Sequence, residues 1–83
     1  MNVVLKLYAT LSDYLPQGAH DNRIEITIDE DETVGSIIAR HHLPEKLVHL
    51  VLVNGAYVQP HDRATRRLAA GDHLAIWPPI AGG

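Results

Sequence analysis

The residues with the clearest chemical potential stand last in the sequence, where Gly82-Gly83 follow Pro78-Pro79. A terminal glycine presents an unbranched α-carboxylate, and a backbone without Cβ can enter a narrow cleft in conformations closed to other residues. Proline fixes φ and has no N–H, so Pro78-Pro79 end any strand before them and favour an extended path. We therefore expect residues 78–83, called the arm below, to be a flexible, extended segment that offers the carboxylate of Gly83 to another protein.

No other set of side chains indicates catalysis. The chain has no cysteine, which excludes disulfides, thiolate metal sites and a cysteine nucleophile. Its six histidines form no i, i+4 pair on a helix, so we expect no metal site; they are His20, His41, His42, His49, His61 and His73. Without a convergent nucleophile, base and oxyanion donor, the chain is not expected to be a self-contained enzyme.

Two charged clusters have simple structural interpretations. The acidic run Asp29–Glu32 precedes the main predicted helix, where carboxylates favour the positive helix end, and we expect it to be solvated. Arg63, Arg66 and Arg67 lie in a polar loop and are also expected to be solvated, with contact to an acidic patch of a partner as the alternative.

Length and composition limit the class of protein. Eighty-three residues make one small domain. The formal charge of −3 gives no reason to expect nucleic-acid binding, and no stretch has the length of a membrane span. The sequence opens without a basic segment or a signal-length apolar core, so we expect a soluble cytoplasmic protein without a membrane partner.

Hydrophobic periodicity predicts the elements that must position the arm. A capped helix begins after Thr33, contains Val34, Ile37 and Ile38, and stops at Leu43-Pro44. Asn54-Gly55 predicts a type I′ hairpin turn. The predicted strands are Val3–Ala9, Arg23–Ile28, Leu47–Val53 (buried on both faces), Ala56–Val58 and His73–Trp77, with a short helical turn over Leu11–Leu15, a polar loop over Pro60–Arg67 and a turn at Gly71-Asp72.

This order of elements predicts an α+β domain in which a mixed sheet of four to five strands packs on one main helix. We expect residues 1–77 to form the domain and residues 78–83 to be the arm, anchored by the last strand. Trp77 is expected to lie half exposed at the base of the arm, where its amphipathic ring suits a partner interface.

With these elements placed, the sequence resembles the sulfur-carrier proteins of the ubiquitin-like β-grasp superfamily, and within them the small subunit of molybdopterin synthase (the MoaD/ThiS family). The similarity spans nearly the whole chain. The matching segments are Val4–Ala9, Thr33-Val34, Val53-Asn54-Gly55, Leu68–His73 and Ala75–Gly83. The resemblance implies a ubiquitin-like β-grasp fold.

The resemblance also implies a chemistry for Gly83. An activating enzyme of the ubiquitin-activating type would use ATP to adenylate the carboxylate of Gly83. A sulfur donor such as a cysteine desulfurase or a rhodanese-like protein would then displace AMP and leave a thiocarboxylate. The large subunit of molybdopterin synthase, or an equivalent acceptor, would receive the sulfur. The chain itself would bind no cofactor, and the docking residues would be Trp77, Pro78, Pro79, Ile80, Ala81 and Gly82.

Alternatives remain open at the level of sequence. Thr10–Pro16 and Pro78-Pro79 favour the molybdopterin branch, whereas the longer Pro60–Arg67 loop is closer to the thiamine-pathway carrier. The same arm would also serve a ubiquitin-like modifier that is conjugated to lysines through Gly83. A pure interaction domain, in which Gly82-Gly83 have no role, is a third possibility.

Overall fold

The chain folds into a five-stranded mixed sheet with one α-helix, as shown by a computed structural model that describes residues 1–80. The strand order is β2-β1-β5-β3-β4, and the central pair β1 and β5 is parallel whereas the other pairs are antiparallel. This confirms the predicted α+β class. The elements are β1 (Asn2–Leu7), β2 (Arg23–Thr27), α1 (Val34–Arg40), β3 (Leu50–Val53), β4 (Ala56–Tyr57) and β5 (His73–Trp77), with short 3-10 helices at Ala9–Tyr14, Glu45–Leu47 and Pro60–Asp62.

One face of the sheet forms the core against α1. Alternate residues of β1 point into this core because side chains alternate between the two faces of a strand. Val3, Leu5 and Leu7 are therefore buried, and β2 adds Ile26 beside Val3 through its antiparallel pairing with β1. Val34 and Ile37 of the helix, Val51 and Val53 of β3, and Leu74 and Ile76 of β5 complete this cluster.

The helix begins as predicted and ends earlier. The Thr33 hydroxyl accepts from the Ser36 N–H at 3.1 Å, and the Ser36 hydroxyl accepts from the Thr33 N–H at 2.8 Å, so the two residues form a reciprocal capping box. The helix ends at Arg40 rather than at Leu43, because His42 takes a positive φ of 57°. Leu43 still reaches the core from the following segment.

The prediction of a strand over Leu47–Val53, buried on both faces, is wrong in two respects. Pro44 precedes a 3-10 helix at Glu45–Leu47, and pairing with β5 starts only at Leu50. Leu50 is exposed, because within residues 1–80 no second layer covers the face of the sheet opposite α1, which we call the outer face. The following turn is as predicted, since Asn54 (φ 51°) and Gly55 (φ 84°) both take the positive φ of a type I′ hairpin.

The Pro60–Arg67 loop packs against the helix and is more ordered than the sequence indicated. Arg63 is half-buried and donates to the carbonyl oxygens of Val58 (3.2 Å), Val48 (3.4 Å) and His49 (3.1 Å), so its prediction as a solvated residue is wrong. The carbonyl of Arg63 also accepts from the Gly35 N–H at 2.7 Å. Arg66 and Arg67 are exposed, as expected. Over residues 1–80, no helix is long and apolar enough to span a bilayer.

Candidate functional site

The arm continues directly from β5, the central strand of the sheet. β5 pairs in parallel with β1 on one side and antiparallel with β3 on the other. Its residues Leu74 and Ile76 are fully buried. A strand bonded along both edges moves only with the whole sheet, so the point at which the arm leaves is fixed relative to the domain.

The last two residues of β5 are held from both neighbouring strands. The Tyr8 N–H, which follows β1, donates to the Ile76 carbonyl oxygen at 3.2 Å. On the other side, the His49 N–H donates to the Trp77 carbonyl oxygen at 3.1 Å. The hydrogen-bond ladder therefore extends to Trp77. Pro78, which has no N–H, follows immediately.

The side chain of Trp77 stacks on that of Tyr8. The two ring centroids lie 4.3 Å apart and the ring planes differ by 2°. Both residues are half-buried and lie on the outer face. Stacked rings of this kind contribute beyond the apolar area they bury. The pair forms a flat aromatic surface at the base of the arm.

An apolar patch extends from this stack across the outer face. Strand alternation and register place Leu50 beside Trp77, and Leu52 between Ala75 and Tyr57. Leu50 is 36% exposed and Tyr57 54% exposed. We call Leu50, Leu52, Tyr57, Ala75 and Trp77 the outer patch. Ala75 is buried between its neighbours, and the other four side chains are at least partly exposed. Partly exposed apolar residues grouped in this way mark interaction surfaces more often than residues scattered singly.

The opposite end of β5 is fixed by two turns that bond to each other. Asn54 Nδ2 donates to Asp72 Oδ1 at 2.8 Å, and Asn54 Oδ1 accepts from the His73 N–H at 2.8 Å. Asp72 Oδ2 accepts from the Ala69 N–H at 2.8 Å. This backbone N–H and the Asn54 amide lower the pKa of the Asp72 carboxyl, although partial burial opposes them. The network fixes where β5 begins.

The structure describes part of the predicted arm. Pro78 is half-buried, Pro79 is exposed, and Ile80 is 83% exposed beyond the sheet. Ala81, Gly82 and Gly83 lie outside the described residues. The roles predicted for the arm and for Trp77 therefore stay predictions, as does the division at residue 77.

Within residues 1–80 the side chains form no arrangement suited to catalysis. No polar or charged side chain in this range is buried, and no three of its His, Asp or Glu residues come together as metal ligands. A recess of about 440 Å³ beside β2 is lined by His20, Asp21, Arg23, Glu25 and His73 among others, but it is open to solvent.

Comparison with known proteins assigns the family. A sequence model of the Mut7-C ubiquitin family matches residues 1–81. The chain belongs to this family. No curated protein sequence matches significantly. The fold of this Mut7-C ubiquitin protein is the ubiquitin-like β-grasp of carrier and modifier proteins, as the sequence resemblance implied.

Three solved structures illustrate the similarity. Small archaeal modifier protein 1 (SAMP1) of Haloferax volcanii is 27% identical, with a TM-score of 0.69 and 100% of both chains covered. A putative molybdopterin converting factor subunit 1 from Pyrococcus furiosus is 22% identical over 95% of this chain and 98% of that one, with a TM-score of 0.69. The complex of subunits 1 and 2 of the molybdopterin-converting factor from Helicobacter pylori matches with 17% identity, a TM-score of 0.61 and 100% coverage of both chains.

Sequence reasoning missed most of the surface around the arm. The alternation of side chains along the predicted strand Val3–Ala9 puts Tyr8 on the face opposite Leu5 and Leu7, but no local feature indicates that Tyr8 contacts Trp77. That contact follows from the parallel pairing of β1 with β5. Leu50 was expected to be buried. The exposure of Leu50 cannot be read from the sequence, because all four residues of Leu50–Val53 are apolar and no polar residue marks the solvent-facing side.

Proposed function

We propose that this Mut7-C ubiquitin protein is a sulfur carrier. An activating enzyme uses ATP to adenylate the carboxylate of Gly83. The persulfide of a donor protein then displaces AMP and forms an acyl disulfide, which a thiol cleaves reductively to leave the thiocarboxylate at Gly83 and a disulfide on the donor side. The observation that carries the proposal is the geometry of β5. Its end is hydrogen-bonded to the neighbouring strand or segment on both sides, and an apolar patch adjoins it. In the sequence, Gly83 is the sixth residue after Trp77, the last residue of β5.

The division of labour follows from the chemistry. A carboxylate is a poor electrophile, and adenylation turns it into a mixed anhydride with a good leaving group. In this proposal the carrier supplies no general acid or base, and the catalytic groups belong to its partners. The carrier contributes positioning, which alone can account for a large part of a rate enhancement.

The outer patch is the surface on which we expect the activating enzyme to dock. Its exposed aromatic and aliphatic side chains, Tyr57, Leu50 and Trp77, are of the types that concentrate binding energy at interfaces. The patch adjoins the origin of the arm, so one docking event brings Gly83 to the reaction centre. The residues that then contact the partner, on the way to its reaction centre, are Trp77, Pro78, Pro79, Ile80, Ala81 and Gly82.

The sulfur acceptor that we favour is a molybdopterin-synthase large subunit in the cytoplasm. Support comes from the sequence resemblance in Pro78–Gly83 and from the fold shared with the Pyrococcus furiosus and Helicobacter pylori proteins. The thiamine pathway or another sulfur-transfer pathway is the alternative within the same chemistry. Each acceptor would use the same thiocarboxylate.

Intact-protein mass spectrometry tests the thiocarboxylate directly. The full chain is incubated with its cognate activating enzyme, ATP and a sulfur donor. We expect a mass increase that corresponds to replacement of one oxygen by sulfur. The matched control is the chain without Gly83, which should fold normally and show no increase. Absence of the product with every cognate activating enzyme would refute the proposal.

A second candidate function is protein modification, favoured by the similarity to SAMP1 over the full length of both chains. A modifier would use the same adenylate but transfer Gly83 to lysine side chains. Affinity capture of the tagged chain followed by peptide mass spectrometry distinguishes the two functions. Lysines joined by an isopeptide bond to the C-terminal peptide of this chain indicate a modifier, whereas a thiocarboxylate without such adducts indicates a carrier. After trypsin that peptide is Leu68–Gly83, because no Lys or Arg follows Arg67.

A further inference from the structure

Tyr8 contacts the base of the arm in two ways. Its backbone N–H donates to the Ile76 carbonyl oxygen, and its ring stacks on that of Trp77 with nearly parallel planes, 4.3 Å between centroids. Trp77 is the last residue of β5 and Pro78 follows it. The orientation of the Trp77 side chain is therefore linked to a residue distant in sequence.

The backbone after Tyr8 holds it in this position at a conformational cost. Ala9 takes a φ of 52°, in the left-handed region that residues with a Cβ rarely adopt. This conformation ends β1 and starts the 3-10 helix Ala9–Tyr14, whose first hydrogen bond runs from the Leu11 N–H to the Tyr8 carbonyl oxygen at 3.1 Å. Unfavourable backbone conformations of this kind persist where surrounding contacts enforce them. Here Ala9 lies between Tyr8, which is held by Ile76 and Trp77, and the fully buried Leu11.

We propose that Tyr8 is a positioning residue for the arm: through its stack on Trp77 it fixes the direction in which Pro78 and the residues after it leave the sheet. The inference rests on the proposed function, because positioning matters when Gly83 must reach a reaction centre in a partner. Without the Tyr8 ring, the Trp77 side chain loses one wall of its site. The backbone bonds at Ile76 and Trp77 remain, and the first residues of the arm sample a wider range of directions.

A fixed origin also limits the geometry of the partner. Fully extended, the residues after Trp77 span at most about 20 Å. The atom that attacks or activates the Gly83 carboxylate must therefore lie within about 20 Å of the partner surface that contacts the Tyr8–Trp77 stack. This fits a partner with a narrow channel that opens beside an apolar docking surface.

Substitutions at Tyr8 test the proposal with two independent readouts. Trp77 is the only tryptophan in the chain, so time-resolved fluorescence anisotropy reports on the stacked ring alone. The second readout is steady-state adenylation of the full chain by its cognate activating enzyme. For Tyr8→Ala we expect greater local motion of Trp77 and a kcat lowered between about ten- and a hundredfold, since misplacement of a reacting group slows the reaction even when binding persists.

The matched variants separate positioning from other effects. Tyr8→Phe keeps the stacked ring and should restore both readouts. Tyr14→Ala removes an exposed tyrosine from the 3-10 helix that follows Tyr8 and should leave both readouts unchanged. Tyr8→Leu replaces Tyr8→Ala if circular dichroism shows that the alanine variant does not fold, because leucine keeps apolar volume but has no planar ring.

The outcomes distinguish this inference from the proposed function. A wild-type chain that no cognate enzyme adenylates refutes the function and the positioning role together. An active wild type with a normal kcat for Tyr8→Ala refutes the positioning role alone. A raised KM with unchanged kcat also refutes it, because Tyr8 would then be a docking contact and not a positioning residue.

Discussion

Asn54 Nδ2 donates a hydrogen bond of 2.8 Å to Asp72 Oδ1, so the side chain of one turn is bonded to the side chain of another. Asn54 closes the β3–β4 hairpin and Asp72 immediately precedes β5. The Asn54 backbone adds a bond of 2.9 Å from its N–H to the His73 carbonyl oxygen. This contact sets the register of β5 against β3, and thereby the position at which the arm leaves the sheet.

Replacing Asn54 should destabilise the fold more than is usual for an exposed residue. Asn54→Ala removes two hydrogen bonds, one of them to the Asp72 carboxylate. It also places alanine at a φ of 51°, which is unfavourable for a residue that has a Cβ but no polar side chain. We therefore expect the free energy of unfolding to fall by about 2 kcal/mol. Asn54→Gly tolerates the positive φ and should lose about 1 kcal/mol, the contribution of the hydrogen bonds alone. Urea denaturation measures both. A glycine variant as stable as the wild type would show that the bonds contribute nothing.

The same network predicts how stability depends on pH. The Ala69 N–H and the Asn54 amide lower the pKa of Asp72 in the folded chain. An acid with a lowered folded pKa stabilises the protein above its unfolded pKa of about 4, and this contribution disappears as the pH falls through the folded value. We therefore expect the wild type to be more stable than Asp72→Asn near neutral pH, and the difference to shrink at about pH 3. An equal difference at both pH values would contradict the role of the carboxylate charge.

Gly35 should resist substitution although it lies in a helix. A Cβ built at Gly35 would lie 3.1 Å from the Arg63 carbonyl oxygen and 3.2 Å from the Ala64 Cα. Alanine ordinarily stabilises a helix by about 1 kcal/mol relative to glycine. Here we expect Gly35→Ala to destabilise by about 1–2 kcal/mol, because the loop would have to move away from the helix.

The reverse substitution on the same helix is the control for Gly35→Ala. Ala39 is exposed, so Ala39→Gly should lose about 1 kcal/mol through helix propensity alone. Thermal unfolding of the two variants compares them directly. A Gly35→Ala protein more stable than the wild type would mean that the loop does not pack against the helix as described.

Local chemistry made several elements predictable from the sequence. The Thr33 cap, the Asn54-Gly55 turn and the bounds of β5 depend on residues adjacent in the chain, and the structure confirms all three. The predicted start of β3 at Leu47 is wrong. Pairing with β5 decides where β3 begins, and Leu47 lies before the paired segment, in a 3-10 helix.

Contacts between distant residues explain the remaining errors. Arg63 is ordered by carbonyl oxygens of Val48, His49 and Val58, and no spacing in the sequence indicates that these converge. The stack of Tyr8 on Trp77 likewise exists only because β1 and β5 are parallel neighbours. The sequence alone points to the arm, whose role stays a prediction. The surface beside the arm required the fold.

Docking on the outer patch predicts a kinetic signature different from that of Tyr8. Tyr57→Lys adds a charge to an exposed aromatic position of the patch, so it should leave the free energy of unfolding within about 0.5 kcal/mol of the wild type. In adenylation assays we expect its KM for the carrier to rise about tenfold with kcat unchanged, because binding is weakened while the arm still leaves β5 from the same place.

Thr27→Lys is the matched control, since it adds the same charge to the same face of the sheet but on the edge strand β2, away from the patch. It should leave KM within about twofold of the wild type, because a charge remote from the docking surface affects mainly long-range attraction. An equal rise in KM for Thr27→Lys and Tyr57→Lys would show that net charge, and not the apolar patch, governs recognition by the activating enzyme.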